Sequence, residues 1–212
     1  MILYGTSVSP FVRKVMMFAA EKGISLENQP TRPHHDDADF KAASPFGKIP
    51  AFRDGDFTLA DSTAIVTYLE AKFPSPALIP LDPCERAKAI WFEEFSDTII
   101  FLAGTKLFFN RVLSPRLFGK PGDLARADEA EAREIPPAFA YLESVLPSSG
   151  YLVGDSLTIG DIAIINQLVN LSYSSCHVDA AKYPKLAAYH VRHTARPSVA
   201  GLIAADRAML GV

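Results

Sequence analysis

Few side chains in this sequence sit in patterns that could do chemistry, and most fall in its first third. Ser7 and Ser9 stand on either side of Val8, and Ser9 precedes Pro10. Serine is a favoured helix cap and proline a favoured first helical residue. A hydroxyl there can simply cap the helix, or it can help the positive helix end to stabilise an anion. Asp61-Ser62 repeats the arrangement before a second apolar helical pattern. A serine hydroxyl at a helix start suits a carboxylate and an aspartate suits an ammonium, while capping alone would also account for both. His34 and His35 precede Asp36, Asp37 and Asp39. This composition raises the question of a metal, but no second layer of support is visible, and a solvated loop is the plainer reading. Cys84 and Cys176 are far apart and belong to no C-x-x-C. They read as bystanders, and their number fits a cytoplasmic location.

The elements that must hold these residues follow from pattern. Ile2-Leu3-Tyr4 is a short apolar run ended by Gly5, as in a buried strand. Phe11, Val12, Val15, Met16, Phe18 and Ala19 then recur at helical spacing up to Gly23. Residues 24–29 read as a second strand, 30–39 as a loop and 40–44 as a helical turn. A strand-like stretch at 47–52 leads to Asp54-Gly55, a hairpin signal, and Phe57-Thr58-Leu59 is the returning strand. The helix opened by Asp61-Ser62 stops near Phe73. Residues 74–83 hold Pro74, Pro76, Pro80 and Pro83 and read as a linker. Beyond it only helical patterns appear, at about 83–112, 123–145, 158–172 and 185–209. Thr158-x-x-Asp161 is a capping-box variant. The expected architecture is a βαβ-ββα domain over residues 1–76, one mixed four-stranded sheet with helices on its faces, followed by an all-α domain over 84–212.

Composition narrows the function classes. A net charge of −3 with 21% charged residues predicts no basic surface for nucleic acid and no polybasic membrane patch. No apolar run approaches the ~18 residues of a membrane span. The start, Met1-Ile2-Leu3-Tyr4-Gly5, reads as the first strand of the fold rather than a signal peptide. The 49% hydrophobic content is enough for a substantial core.

Four short motifs in order carry a resemblance. They are Ser-x-Ser-Pro-Phe at 7–11, Pro-Phe-Gly-Lys-Ile-Pro at 45–50, Leu-Ala-Asp-Ser at 59–62 and Ser-Leu-Thr-Ile-Gly-Asp at 156–161. Together they are similar to the cytosolic glutathione transferase superfamily over essentially the whole chain, as a serine-type, bacterial-like member. The resemblance implies an α/β thioredoxin-like N-terminal domain, an all-α C-terminal domain, a cytoplasmic homodimer, glutathione as co-substrate and no metal.

It also implies roles. Ser9 matches the residue that stabilises the glutathione thiolate, with Ser7 as competitor because some classes place the serine two positions earlier. A free thiol has a pKa of ~8.5, and lowering it by two units takes ~2.7 kcal/mol of preferential thiolate stabilisation. The serine acts as a donor, not a base, and without a cysteine there the thiol–disulfide route is disfavoured. Ile49-Pro50 resembles the family's cis-proline turn, whose exposed backbone pairs with the cysteinyl part of glutathione as an added strand. Lys48 could reach the glycine carboxylate. Asp61, often Glu in the family, and Ser62 would hold the γ-glutamyl end. His35 matches a glutathione-binding histidine of some classes, with surface exposure as the equal alternative; His34 reads as solvated. Asp161 matches a buried helix-capping aspartate and is assigned to folding. Phe11, Phe108 and Arg111 are candidates for the hydrophobic-substrate pocket, expected between the domains, with ordinary helix packing the competing reading for each.

The function expected is attack of activated glutathione on a hydrophobic electrophile. Alternatives are a glutathione-dependent peroxidase or isomerase of the same fold, and a non-catalytic interaction or ligand-binding protein. The isomerase class favours Ser-Ser-Cys in the first turn, which this chain lacks.

Overall fold

Gly5 decides how the first strand hands over to the first helix. It takes φ +140°, and a Cβ there would lie 2.5 Å from Cγ2 of Val12 and 3.3 Å from Cβ of Ile49. Only glycine lets the helix and the Ile49 segment come this close. The computed structural model describes all 212 residues, which divide into two compact units, Met1–Ile79 and Pro80–Val212. The division falls inside the proline-rich stretch 74–83.

The first unit runs β1 (Ile2–Tyr4), α1 (Pro10–Glu21), β2 (Glu27–Gln29), α2 (Ala38–Ala43), β3 (Ala51–Asp54), β4 (Phe57–Ala60) and α3 (Ser62–Lys72). The sheet order is β2-β1-β3-β4. β1 is parallel to β2 and antiparallel to β3, and β3 and β4 form a hairpin. Side chains alternate between the faces. Tyr4 and Ala51 pack with Phe40 and Ala43 of α2 on one face. Phe52 points to the other, where its ring lies 5.6 Å from that of Tyr68 on α3, and α1 packs on α3. A buried Lys22 closes the unit: its ammonium meets Glu70 at 2.7 Å and also the Pro76 carbonyl, and the Glu70 carboxylate accepts from the Leu78 N–H. This is the thioredoxin-like sheet and helix order expected, with β3 starting at Ala51, later than the strand-like run 47–52 suggested.

The second unit is helical throughout: α4 (Pro83–Glu94), α5 (Phe101–Phe108), α6 (Ser114–Leu117), α7 (Leu124–Arg133), α8 (Ile135–Val145), α9 (Ile159–Tyr173), α10 (Pro184–Thr194) and α11 (Pro197–Leu210). Two π-helical stretches, Phe95–Ile100 and Phe109–Leu113, interrupt the rod from α4 to α6. The predicted stretch 185–209 is two helices, because Arg196 precedes Pro197 and is driven to extended backbone (φ −64°, ψ 139°). The stretch 123–145 also divides, at Glu134, whose backbone stays helical (φ −100°, ψ −31°); Pro136 and Pro137 just beyond it have no N–H to give the carbonyls of the preceding turn. No helix is long and apolar enough to cross a membrane.

α9 is buried on almost every side, as a central core helix must be, and takes Asn166, Gln167 and Asn170 into the core with its apolar residues. Its start is organised by Asp161, which has no exposed surface. The carboxylate accepts from the N–H groups of Leu152 and Thr158 at 2.9 Å, and from the Thr158 and Tyr189 hydroxyls at 3.0 Å. Burial raises its pKa while these bonds pull it down, and burial is the stronger.

Beside it, the His193 ring sits between those of Tyr151 and Tyr189, 5.3 and 4.5 Å away. Its Nε2 bonds the Gly150 carbonyl at 2.8 Å and its buried Nδ1 has no partner. Burial therefore lowers its pKa, and pushes His190 down to about 4. The unfolded chain takes up protons near the ordinary value of 6.5 and the folded one resists. Stability should be full above pH 6.5 and fall as pH drops towards about 4. Urea midpoints across this range test it: the double substitution His190→Gln, His193→Gln should flatten the slope, and an unchanged slope would assign the acid sensitivity elsewhere.

Candidate active site

The sheet register assembles the candidate residues. Tyr4 pairs with Gln29 and with Ala51, and Ala51 pairs with Ala60. The end of β1, the end of β2, the start of β3 and the end of β4 thus lie in one row. Segments leaving that row emerge at one end of the sheet: the serine turn, the His34-His35 loop, Lys48-Ile49-Pro50, and Asp61-Ser62. The N-termini of α1 and α3 begin there too.

Ser9 is the backbone cap of α1, with φ −72° and ψ 124°, but its side chain makes no capping hydrogen bond. Its N–H bonds the Thr6 carbonyl at 3.0 Å and its carbonyl accepts the Arg13 N–H at 3.0 Å. The backbone does the capping work and the half-buried hydroxyl is left over, at the positive end of a helix. Ser7 is half-buried as well, and its carbonyl accepts from Arg13 Nη1 at 2.8 Å.

The Ile49–Pro50 bond is cis. Ile49 places its side chain against the Tyr4–Phe40 cluster. The turn before it is held by two bonds: Gly47 N–H to the Ser44 carbonyl at 2.9 Å, and the buried Ser44 hydroxyl to the Lys48 carbonyl at 2.7 Å. Gly47 (φ +64°) abuts His34, since a Cβ there would lie 2.5 Å from the imidazole Nδ1. The His34 N–H donates to the Gly47 carbonyl at 2.8 Å. His34 is exposed at its side chain, as expected, yet its backbone docks the loop onto the Lys48-Ile49 turn. Lys48 itself is exposed.

His35 is exposed too, and its Nδ1 accepts the Asp37 N–H at 3.1 Å. In the neutral ring the proton is then on Nε2, which becomes a donor. The neighbouring carboxylates are committed elsewhere: Asp36 to Lys41 at 2.8 Å, Asp37 to the start of α2, and Asp39 to Arg53 at 2.9 Å. No group of three or more His, Cys, Asp or Glu side chains is placed to hold a metal ion.

Asp61 has φ +82°, a conformation that costs a non-glycine residue free energy and concentrates at functional sites. One carboxylate oxygen, Oδ1, accepts from the N–H groups of Thr63 and Ala64 at 2.9 and 3.1 Å. Asp61 is thus a true cap, but Oδ2 takes no part in it, and the residue is exposed. Ser62, buried at 3% exposure, is the first residue of α3 rather than its cap.

Of the three pocket candidates, Phe11 belongs to the first unit and Phe108 and Arg111 to the second. Phe11 is half-buried on α1, with the Lys14 ammonium 5.7 Å from its ring centre. Phe108 is buried, 6.4 Å from the Tyr173 ring. Arg111 is tied to Asp128 at 2.7 Å, Glu131 at 2.5 Å and the Ser174 carbonyl at 3.1 Å, which is a structural commitment within the helical unit. Burial pushes the Cys176 thiol up to about 12, so it stays protonated.

Two supporting residues carry no sequence signal. Asn28 on β2 donates to the carbonyls of Leu3 and Gly5 at 3.1 and 3.0 Å, fixing the end of β1. Arg13 holds the serine turn, although a basic residue in a helical pattern reads as a solvated position.

The profile of the glutathione S-transferase N-terminal domain matches residues 3–77, and that of the C-terminal domain matches residues 117–206. Glutathione S-transferase 3 of Zea mays is 34% identical over 164 residues, covering 75% of this chain and 72% of that protein. Elongation factor 1-gamma of Schizosaccharomyces pombe is 36% identical over 162 residues, 76% of this chain but only 38% of that longer protein. The structure of a Methylobacterium radiotolerans glutathione S-transferase in complex with glutathione sulfonate superposes with a TM-score of 0.77, at 29% identity, covering 95% of this chain and 93% of that one. With both domain profiles matched in order and relatives aligned over most of its length, the chain belongs to the glutathione S-transferase family.

Proposed function

We propose that this chain is a serine-type glutathione transferase that acts in the cytoplasm as a homodimer. The observation that carries the reading is the row at the end of the sheet. Adjacent strands are ~4.8 Å apart, so the β1 and β4 exits are ~10 Å apart. An extended tripeptide spans about the same distance, at ~3.3–3.6 Å per residue. Glutathione laid across the row would put its thiol at Ser9, its cysteinyl backbone on Ile49 and its γ-glutamyl end on Asp61 and Ser62. Lys48 and the Nε2 donor of His35 would meet the glycine carboxylate. Ser9 donates a hydrogen bond to the sulfur, the thiol proton leaves to solvent, and the thiolate forms a carbon–sulfur bond to a hydrophobic electrophile, which either expels its leaving group with the bonding pair or, as an activated double bond, takes a proton from solvent. Exposed Phe46 (82%), Trp91 and Leu102 are apolar surface that a second copy would cover.

Asp61→Ala tests the orientation. It should raise the KM for glutathione about tenfold with little change in kcat, and remove a cap contributing ~1 kcal/mol of stability. A fall in kcat alone would show that Asp61 does not position glutathione.

The likeness to elongation factor 1-gamma, a protein not named as a transferase, supports a second reading, an interaction module without turnover. An absence of glutathione-dependent turnover across chemically diverse electrophiles and organic hydroperoxides would favour it.

A further inference from the structure

Arg13 heads the fully buried side chains by size, with 0% exposure. A buried guanidinium persists only where its donors are used. One use is on view: Nη1 donates to the Ser7 carbonyl at 2.8 Å. Arg13 also sits one helical turn after Ser9, and its backbone N–H donates to the Ser9 carbonyl at 3.0 Å. One residue therefore grips the turn twice, through Ser7 and through Ser9, while the Ser9 N–H is held by the Thr6 carbonyl. The Ser9 hydroxyl is not engaged in capping. A short turn gripped at both serine carbonyls fixes the Ser9 Cα–Cβ direction, and with it the few staggered positions its hydroxyl oxygen can take.

We infer that Arg13 is a positioning residue, whose grip on the Ser7 carbonyl aims the Ser9 hydroxyl at the glutathione sulfur. The inference rests on the transferase reading with Ser9 as donor. Arg13 acts through the turn and touches neither glutathione nor electrophile in this account. A nearby cation that stabilised the thiolate directly would act whether or not the serine hydroxyl were present, and this difference is measurable.

The test is a double-mutant cycle of Ser9→Ala and Arg13→Met. Its readouts are kcat, the KM for glutathione, the ultraviolet signature of bound thiolate and the melting temperature. Arg13→Met should lower kcat and bound thiolate roughly ten- to a hundredfold, as misplacement of a catalytic group does. The KM for glutathione should stay nearly unchanged. Arg13→Lys, which retains a donor for the carbonyl, should recover much of the loss. In the Ser9→Ala background, Arg13→Met should cost little more. If Arg13→Met does not fold, Arg13→Gln takes its place in the cycle: its amide is polar enough for the site but two bonds too short to keep the contact with the Ser7 carbonyl. An equal loss with and without the Ser9 hydroxyl overturns the inference, as does a folded Arg13 variant that lacks a donor to the Ser7 carbonyl yet shows normal thiolate and kcat. If Ser9→Ala alone changes neither quantity, the serine reading fails, and that failure is visible before Arg13 is altered.

Discussion

Ser9→Ala is expected to lower kcat by about two orders of magnitude, the usual loss when a single donor to a developing or resident anion is removed. The pKa of bound glutathione should rise by a comparable factor, so that activity recovers as pH is raised. Affinity for glutathione should change little, because in the proposed mode Ile49, Asp61 and Ser62, not the contact to sulfur, hold the tripeptide along the sheet row. The structure sharpens this expectation. A capping serine would lose helix stability on truncation, but the Ser9 hydroxyl makes no capping bond, so Ser9→Ala should leave the melting temperature nearly unchanged. An unaltered pH–rate profile would move the donor role to Ser7.

Asp161→Ala should have the largest effect on stability. Four donors converge on this carboxylate, two backbone N–H groups and two hydroxyls, at 2.9–3.0 Å. Truncation leaves them buried and unpaired at the start of the central helix, at a cost of about 3–5 kcal/mol. The melting temperature should fall by roughly 10 °C. Asp161→Asn should also destabilise, since the amide nitrogen would face N–H and O–H groups that need acceptors. Thermal denaturation by circular dichroism measures both. Activity per folded molecule should persist at low temperature, as Asp161 stands in the second unit and serves its fold. A melting temperature that barely moves would mean the network relaxes, and would remove Asp161 as its organiser.

The sequence was most legible where local physics sets local structure. Gly5, Ser9-Pro10 and Asp54-Gly55 punctuate the first unit at positions that hold in the fold, and Thr158-x-x-Asp161 forms the capping box expected. What could not be read depends on distant partners. Arg13 resembles a surface residue until the Ser7 carbonyl is seen above it. Arg111 is held by Asp128, Glu131 and Ser174, and no local pattern announces contacts 17 to 63 residues away. The break at Arg196 is a case where the proline signal was present and the helical periodicity on either side obscured it. Sheet order was also beyond local pattern, and it is the register of β1, β3 and β4 that turns separate motifs into one row.

In the proposed reaction this row binds glutathione and ionises it at Ser9. Calorimetric titration with glutathione at neutral pH, read beside the ultraviolet difference spectrum of bound thiolate, tests it most directly. Saturable binding with the thiolate signature present near neutral pH, and that signature lost in Ser9→Ala, is the predicted result. No binding at millimolar glutathione would contradict the claim and make the interaction-module reading the leading one.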